Sequence, residues 1–162
     1  MIFVTVGTHE QQFNRLVEYM DNWAAQNDED VVIQTGYSTY EPQNCIWKRF
    51  FSYQEMSEKV ADARIVITHG GPSSFIMPLQ IGKKPIVVPR SKKFEEHVND
   101  HQVEFCRQVE SRMGLIIVVN DIIKLNDAIK NYNNITNSRE NNIMNNNARF
   151  CNGFANIVDD MF

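Results

Sequence analysis

The 162-residue chain has no excess of positive charge: sixteen Lys and Arg face twenty Asp and Glu, a net charge of −4. A general nucleic-acid binder usually carries a basic surplus or stripe, so no nucleic acid is expected as a partner. Long apolar runs are also missing. The longest mostly apolar stretches, at 1–6 and 115–119, hold about six residues, against the roughly twenty that span a bilayer. No basic segment precedes an apolar one at the N-terminus, so no secretion signal is read and the chain is expected to be cytoplasmic. Cys45, Cys106 and Cys151 are odd in number, far apart and form no C-x-x-C. They give no sign of a disulfide framework or a cysteine zinc site and read as reduced, mostly buried thiols. G-x-G-x-x-G is absent, and Gly82-Lys83-Lys84 lacks the upstream glycine and following hydroxyl of a P-loop.

What remains is an alternation of two apolar patterns. Short, nearly continuous β-rich runs occupy 2–6, 31–35, 65–68, 85–88 and 115–119, and most end at Gly, Pro or Asn-Asp. Continuous hydrophobicity of this kind marks strands covered on both faces, as in a parallel sheet. Residues 45–51 are aromatic and β-prone and are a further strand candidate. Between the runs lie helical segments. Phe13, Leu16, Val17 and Met20 share one helix face, and 53–63, 73–81, 96–110 and 122–130 read as helices, the last capped by Asp121. Strands alternating with helices predict an α/β fold: one domain over 1–162, a parallel sheet sandwiched by helices. Nine asparagines fall in residues 131–147, a composition that favours turns and predicts a solvated linker. Phe150, Phe154, Ile157, Val158 and Met161 line one face of an expected C-terminal helix over 148–162.

Four places hold the chemistry. In Ile67-Thr68-His69-Gly70-Gly71-Pro72-Ser73-Ser74 a buried strand runs into two glycines, a proline and two hydroxyls. Glycines admit close approach to the backbone, proline suits the first helical position, and free amides with the helix dipole attract phosphate. Ser73 and Ser74 can add donors, or can simply cap a tight strand-to-helix turn. The second place is a run of five cations, Lys83, Lys84, Arg90, Lys92 and Lys93, with no acid among them. The lysines read first as a solvated loop. Arg90, directly after Pro89 at a strand end, is placed to reach a phosphate. Third, His97 and His101 have the spacing of metal ligands on a helix, but no third ligand or H-E-x-x-H accompanies them. A polar helix start that hydrogen-bonds a sugar or nucleotide fits better, and no metal is expected. Fourth, Gly7-Thr8-His9-Glu10-Gln11 follows the first strand, where His9 or Glu10 can be a general base or an ordinary helix-start residue.

Together these segments resemble glycosyltransferases of the GT-B type, and more closely the C-terminal, donor-binding half represented by glycosyltransferase family 28. Residues 4–16, 67–74, 82–90 and 96–102 are similar, in order and spacing, to bacterial exopolysaccharide and capsule transferases of this group. They are also similar to the donor-binding subunit of the dolichol-linked N-acetylglucosaminyltransferase. The resemblance implies a Rossmann-like sheet and a UDP-sugar donor. It also implies inverting transfer to a lipid-diphosphate-linked saccharide at the cytoplasmic membrane face, in capsule or exopolysaccharide biosynthesis. A membrane-anchored partner subunit would supply the acceptor-binding half, since a full GT-B enzyme needs two such domains. By position, Gly70, Gly71, Ser73 and Ser74, with His69 beside them, should meet the donor diphosphate. Gly7 and Thr8 should lie near the phosphate or the transferred sugar, Arg90 beside the base or phosphate, and His101 and Gln102 at the transferred sugar or its phosphate. Glu10 and His9 are the candidate bases, and a non-catalytic interaction subunit is the alternative. One departure stands out: relatives often carry a ribose-binding glutamate where this chain has Met77, followed by Pro78, which should kink or end the helix. The reading requires the helix after residue 71 to aim its amides into an open groove.

Overall fold

The continuous apolar runs become strands because Val and Ile fill both faces of a sheet that helices then cover. A computed structural model describes residues 1–138. Its six strands are β1 (Ile2–Thr5), β2 (Val31–Gln34), β3 (Ile46–Lys48), β4 (Ile65–His69), β5 (Ile86–Val88) and β6 (Ile117–Val118). All neighbours pair in parallel, in the order β3-β2-β1-β4-β5-β6. The expected α/β, Rossmann-like sheet is therefore present, and residues 45–51 do contribute a strand at one edge. The helices are α1 (Asn14–Gln26), α2 (Tyr53–Asp62), α3 (Pro72–Gln80), α4 (His101–Met113), α5 (Leu125–Lys130) and α6 (Tyr132–Ser138).

Side chains alternate across β1, and each face has its own core. Ile2 and Val4 join Ile33, Ile65 and Ile67 against Leu16, Val17, Met20 and Trp23 of α1 and Leu125 and Ile129 of α5. On the other face Phe3, Val32 and Val66 pack with Val60 of α2, and Val87 packs with Phe75, Phe105 and Val109 of α3 and α4. The register sets Thr5 of β1 beside Gln34 of β2 and Thr68 of β4, so three strands end in polar side chains on one rim. The chain leaves β1 toward β2 and β3, then returns to the opposite side for β4. Between β1 and β4 the winding reverses, and open α/β sheets hold ligands at the carboxyl ends of strands at such a point.

Two expectations are revised. First, α4 begins at His101 rather than Glu96. Glu96 is fully buried and takes a two-pronged contact from Arg15, Nε to Oε2 and Nη2 to Oε1, both at 2.9 Å. It also accepts from the Ser91 amide at 3.0 Å. Glu95 before it adopts φ 59°, which breaks helical continuity. Second, residues 132–138 of the asparagine-rich segment form α6 instead of a solvated linker. Tyr132 is buried and its hydroxyl donates to the Lys84 carbonyl at 2.7 Å, and Ile135 packs on the main core. This docking outweighs weak helix propensity. Pro78 stands inside α3, and in line with expectation the helix stops two residues later, at Gln80. The expected C-terminal helix over 148–162 and the rest of the asparagine-rich segment lie outside the described residues. Among the described residues no helix is long and apolar enough to cross a membrane. Cys45 and Cys106 are free; burial pushes both thiols up to about 12, with Asp21 adding to the rise at Cys45.

Candidate functional site

A cleft of about 410 Å³ opens where the sheet reverses. Gly7, Thr8 and His9 of the loop after β1 form one wall, and His69, Ser73 and Ser74 at the β4–α3 junction form the other. Thr5 and Gln34 form its floor, Gln102 of α4 closes one side, and Phe51, Tyr53, Met56 and Met77 supply an apolar end. The floor is tied together: Thr5 Oγ1 accepts from the Gly7 amide and the Gln34 side chain, and Gln34 Oε1 accepts from the Phe51 amide at 2.9 Å.

The centre of this arrangement is the His69 imidazole. It is buried and lies between the backbones of Gly7 and Gly71, so a Cβ on either glycine would fall within its ring. Gly7 also has φ 78°, a left-handed conformation that side chains disfavour. The Gly71 amide donates to His69 Nδ1 at 3.1 Å, and His69 Nε2 lies 2.7 Å from Ser74 Oγ. Burial, and then the Arg90 charge, hold its pKa down at about 3, with a contact from Gln102 opposing them. The ring is thus neutral at physiological pH.

Several expected ligands are already engaged. The Gly70 amide donates to Gln102 Oε1 at 3.1 Å, and the Arg90 amide reaches the same oxygen at 3.0 Å. Of the four amides at the start of α3, Gly71 is taken by His69, Pro72 has none, and Ser74 donates to the Gly71 carbonyl at 3.1 Å. The Ser73 amide remains, with the hydroxyls of Ser73 and Ser74. The amides of Gly70 and Gly71 are thus engaged within the fold. These glycines are required because His69 packs on Gly71, while Cys106 and Gln102 pack on Gly70.

Arg90 is engaged within the fold as well. It is fully buried and donates from Nη1 to the carbonyls of Gln11, Gln12 and Glu96, and from Nη2 to that of Val6, at 2.7–3.2 Å. Burial lowers its pKa to about 10, with Glu96 opposing the shift. It clamps the β1–α1 and β5–α4 loops rather than facing the cleft. Lys83 donates to the carbonyls of Val60, Ala61 and Ala63 at the end of α2, and Lys84 donates to Thr136 in α6. The cation run thus splits, leaving Lys92 and Lys93 exposed.

The histidines separate differently from their spacing. His97 precedes α4, so it does not share a helix face with His101. Its ring instead stacks on His9 at 4.7 Å, nearly parallel at 10°. Burial, and next His9 and Arg90, lower the His97 pKa. Among the described residues no group of three or more His, Cys, Asp or Glu is placed to hold a metal. Exposed His101 and Glu10 lie outside the cleft lining, whereas His9 lies within it, its Nε2 2.9 Å from Gln11 Oε1. Sequence reasoning missed the cleft floor at Thr5 and Gln34 and the apolar end at 51–56. A polar Gln34 closing an otherwise apolar strand was the available signal.

Comparisons with known proteins agree with this fold. No curated protein matches the chain. Its fold is similar to the crystal structure of the glycosyltransferase SnogD from Streptomyces nogalater, with a TM-score of 0.50 and 15% identity, over 99% of this chain and 39% of that one. It is also similar to the glycotransferase of kitacinnamycin, with a TM-score of 0.51 and 16% identity, over 99% of this chain and 38% of that one. The chain thus spans about two fifths of the length of these structures. Its Rossmann-like sheet with flanking helices is that of a GT-B C-terminal half. Residues 1–161 match the family model described as glycosyltransferase family 28 C-terminal domain, and the chain belongs to that family.

Proposed function

We propose that the chain is the donor-binding, catalytic subunit of a two-component inverting glycosyltransferase. In this reading it transfers a sugar from a UDP-sugar to a lipid-diphosphate-linked saccharide in capsule or exopolysaccharide biosynthesis. A membrane-anchored partner supplies the acceptor-binding half and holds the chain at the cytoplasmic membrane face. The observation that carries the reading is the cleft at the sheet's reversal, with the Ser73 and Ser74 hydroxyls and the Ser73 amide at the positive end of α3. These donors suit a diphosphate. The flat and apolar side chains of Phe51, Tyr53, Met56 and Met77 suit a nucleobase and ribose face.

In the proposed reaction the acceptor hydroxyl oxygen attacks the anomeric carbon from the side opposite the diphosphate. The new C–O bond forms as the bond to the diphosphate breaks, and UDP departs. His9 takes the hydroxyl proton, being the base candidate within the cleft. Charge growing on the departing phosphate is met by the α3 donors and dipole. No step uses a metal.

A second reading, a non-catalytic subunit that stabilises a partner transferase, is favoured by one feature. Met77 stands in the cleft where a carboxylate would bind ribose hydroxyls, and a thioether is only a weak acceptor. Calorimetric titration of the folded chain with UDP separates the two. Saturable binding that weakens about tenfold or more in Ser73→Ala with Ser74→Ala supports the donor site. A folded chain that binds no UDP supports the interaction subunit.

A further inference from the structure

The hydrogen bonds around His69 have a direction. A backbone N–H can only donate, so the 3.1 Å contact from the Gly71 amide makes His69 Nδ1 an acceptor. The Gln102 side-chain nitrogen faces the same atom at 3.4 Å. A neutral imidazole carries one proton, which must then sit on Nε2. Nε2 lies 2.7 Å from Ser74 Oγ, so Nε2–H donates and the serine oxygen accepts. The Ser74 hydroxyl proton is thereby left for another acceptor, and Ser74 lines the cleft.

We propose that His69 is a positioning residue for the departing diphosphate: its Nε2-protonated imidazole holds Ser74 so that the hydroxyl proton is offered to a phosphate oxygen. The assignment rests on reading the cleft as a UDP-sugar site. It goes beyond that reading because His69 acts through Ser74 and makes no direct contact with the donor. The packing leaves the ring no other course. The backbones of Gly7 and Gly71 pack against the ring, and its Nε2 is held at 2.7 Å from Ser74 Oγ. A second proton, on Nδ1, would point at the Gly71 N–H. The charged and titratable groups around it, Arg90, His9 and His97, all oppose an imidazolium.

Two measurements test this on the full chain. Long-range proton–nitrogen NMR of the ligand-free protein reads which imidazole nitrogen carries the proton. The expected result is a protonated Nε2 and bare Nδ1 at residue 69, unchanged between about pH 5 and 8. A protonated Nδ1, or a ring that titrates in that range, overturns the assignment. The second is a double-mutant cycle on UDP-glucose affinity with His69→Ala and Ser74→Ala. Each single change is expected to weaken binding about tenfold or more, with the double change no worse than either. Losses that multiply mean that His69 contacts the ligand itself, and overturn the assignment. If His69→Ala does not fold, the NMR result decides. A folded wild type that binds neither UDP nor UDP-glucose instead overturns the reading of the cleft, and is told apart by the tautomer measured without ligand.

Discussion

Replacing Arg90 with methionine separates a loop clamp from a phosphate ligand. The guanidinium makes four donations to main-chain carbonyls, those of Val6 and Glu96 in fully buried settings and those of Gln11 and Gln12 in partly buried ones. Methionine matches much of the volume and keeps the packing on Phe13, whose ring lies 5.1 Å from the guanidinium carbon. It donates to none of the four. Each buried carbonyl left without a donor costs about 1–3 kcal/mol, and the partly buried pair can turn to water. The sum is about 2–6 kcal/mol, a large part of the roughly 5–15 kcal/mol that holds a domain together. With a urea slope of about 2 kcal/mol per molar, the unfolding midpoint should fall by roughly 2 M. Arg90→Lys, which keeps a charge but loses the fork, should fall by less. UDP affinity measured well below the midpoint should change little for either variant. A methionine variant with an unchanged urea midpoint and abolished UDP binding would return Arg90 to the cleft and refute the reasoning.

Gly7→Ala and Gly82→Ala share a left-handed backbone, φ 78° and 79°, but only at Gly7 would the new carbon fall on another side chain, the His69 ring. Gly82→Ala should cost about 1–2 kcal/mol by chemical denaturation, and Gly7→Ala clearly more, with UDP binding lost. Asp21 of α1 is buried against the β2–β3 connection and accepts from the Tyr40 hydroxyl at 2.8 Å and the Asn44 amide at 2.7 Å. Burial raises its pKa, but these bonds and that of the Gln43 amide win and set it below the ordinary 3.8. Its stabilisation is therefore complete above pH 3.8 and is lost as pH falls through the lowered folded value. Asp21→Asn should be less stable at neutral pH and should flatten that acid limb in melts taken from pH 6 downward. Tyr132→Phe removes the bond to the Lys84 carbonyl and should lower Tm by about 2–4 °C, the equivalent of roughly 1 kcal/mol. Since no Lys or Arg lines the cleft, UDP affinity should drop only slightly between low and high salt; a steep salt dependence in titrations would show that a cation such as Lys92 reaches the ligand.

Much of the sheet was legible because a strand buried on both faces has few residue choices. Val31, Val32 and Ile33 can hardly be anything else, and glycine, proline or Asn-Asp marks where the runs end. The start of α4 was not legible. Glu96 looks like a first-turn acid, yet its partner Arg15 is 81 positions away, and that pairing exists only once β1 and β5 lie in one sheet. Helix α6 was hidden for a similar reason. Asparagines 131, 133, 134 and 137 signal turns, while the deciding contact is a single tyrosine reaching back 48 positions to Lys84. Local propensity is worth a few tenths of a kcal/mol per residue, and one well-buried aromatic outweighs several such residues.

The site shows the same division more sharply. Glycine, proline and hydroxyl spacing drew attention to the end of β4, where a cleft lies, because those residue types are demanded by backbone geometry close by in sequence. Which groups are left to bind anything depends on what the rest of the fold has already used. Arg90, Lys83 and Lys84 spend their charges on main-chain carbonyls, and a carbonyl partner leaves no trace in residue identity. Gly70 and Gly71 lose their amides to Gln102 and His69. A positive run in the sequence therefore overstated the charge facing the cleft, and the glycine pair overstated its free amides. What survives is a neutral set of donors: two serine hydroxyls, one amide and a helix end. Such a set can hold a diphosphate only if each donor is aimed in advance, because no net charge compensates a poor angle. On the proposed reading, that requirement accounts for an uncharged histidine packed between two glycines beside the Ser74 hydroxyl.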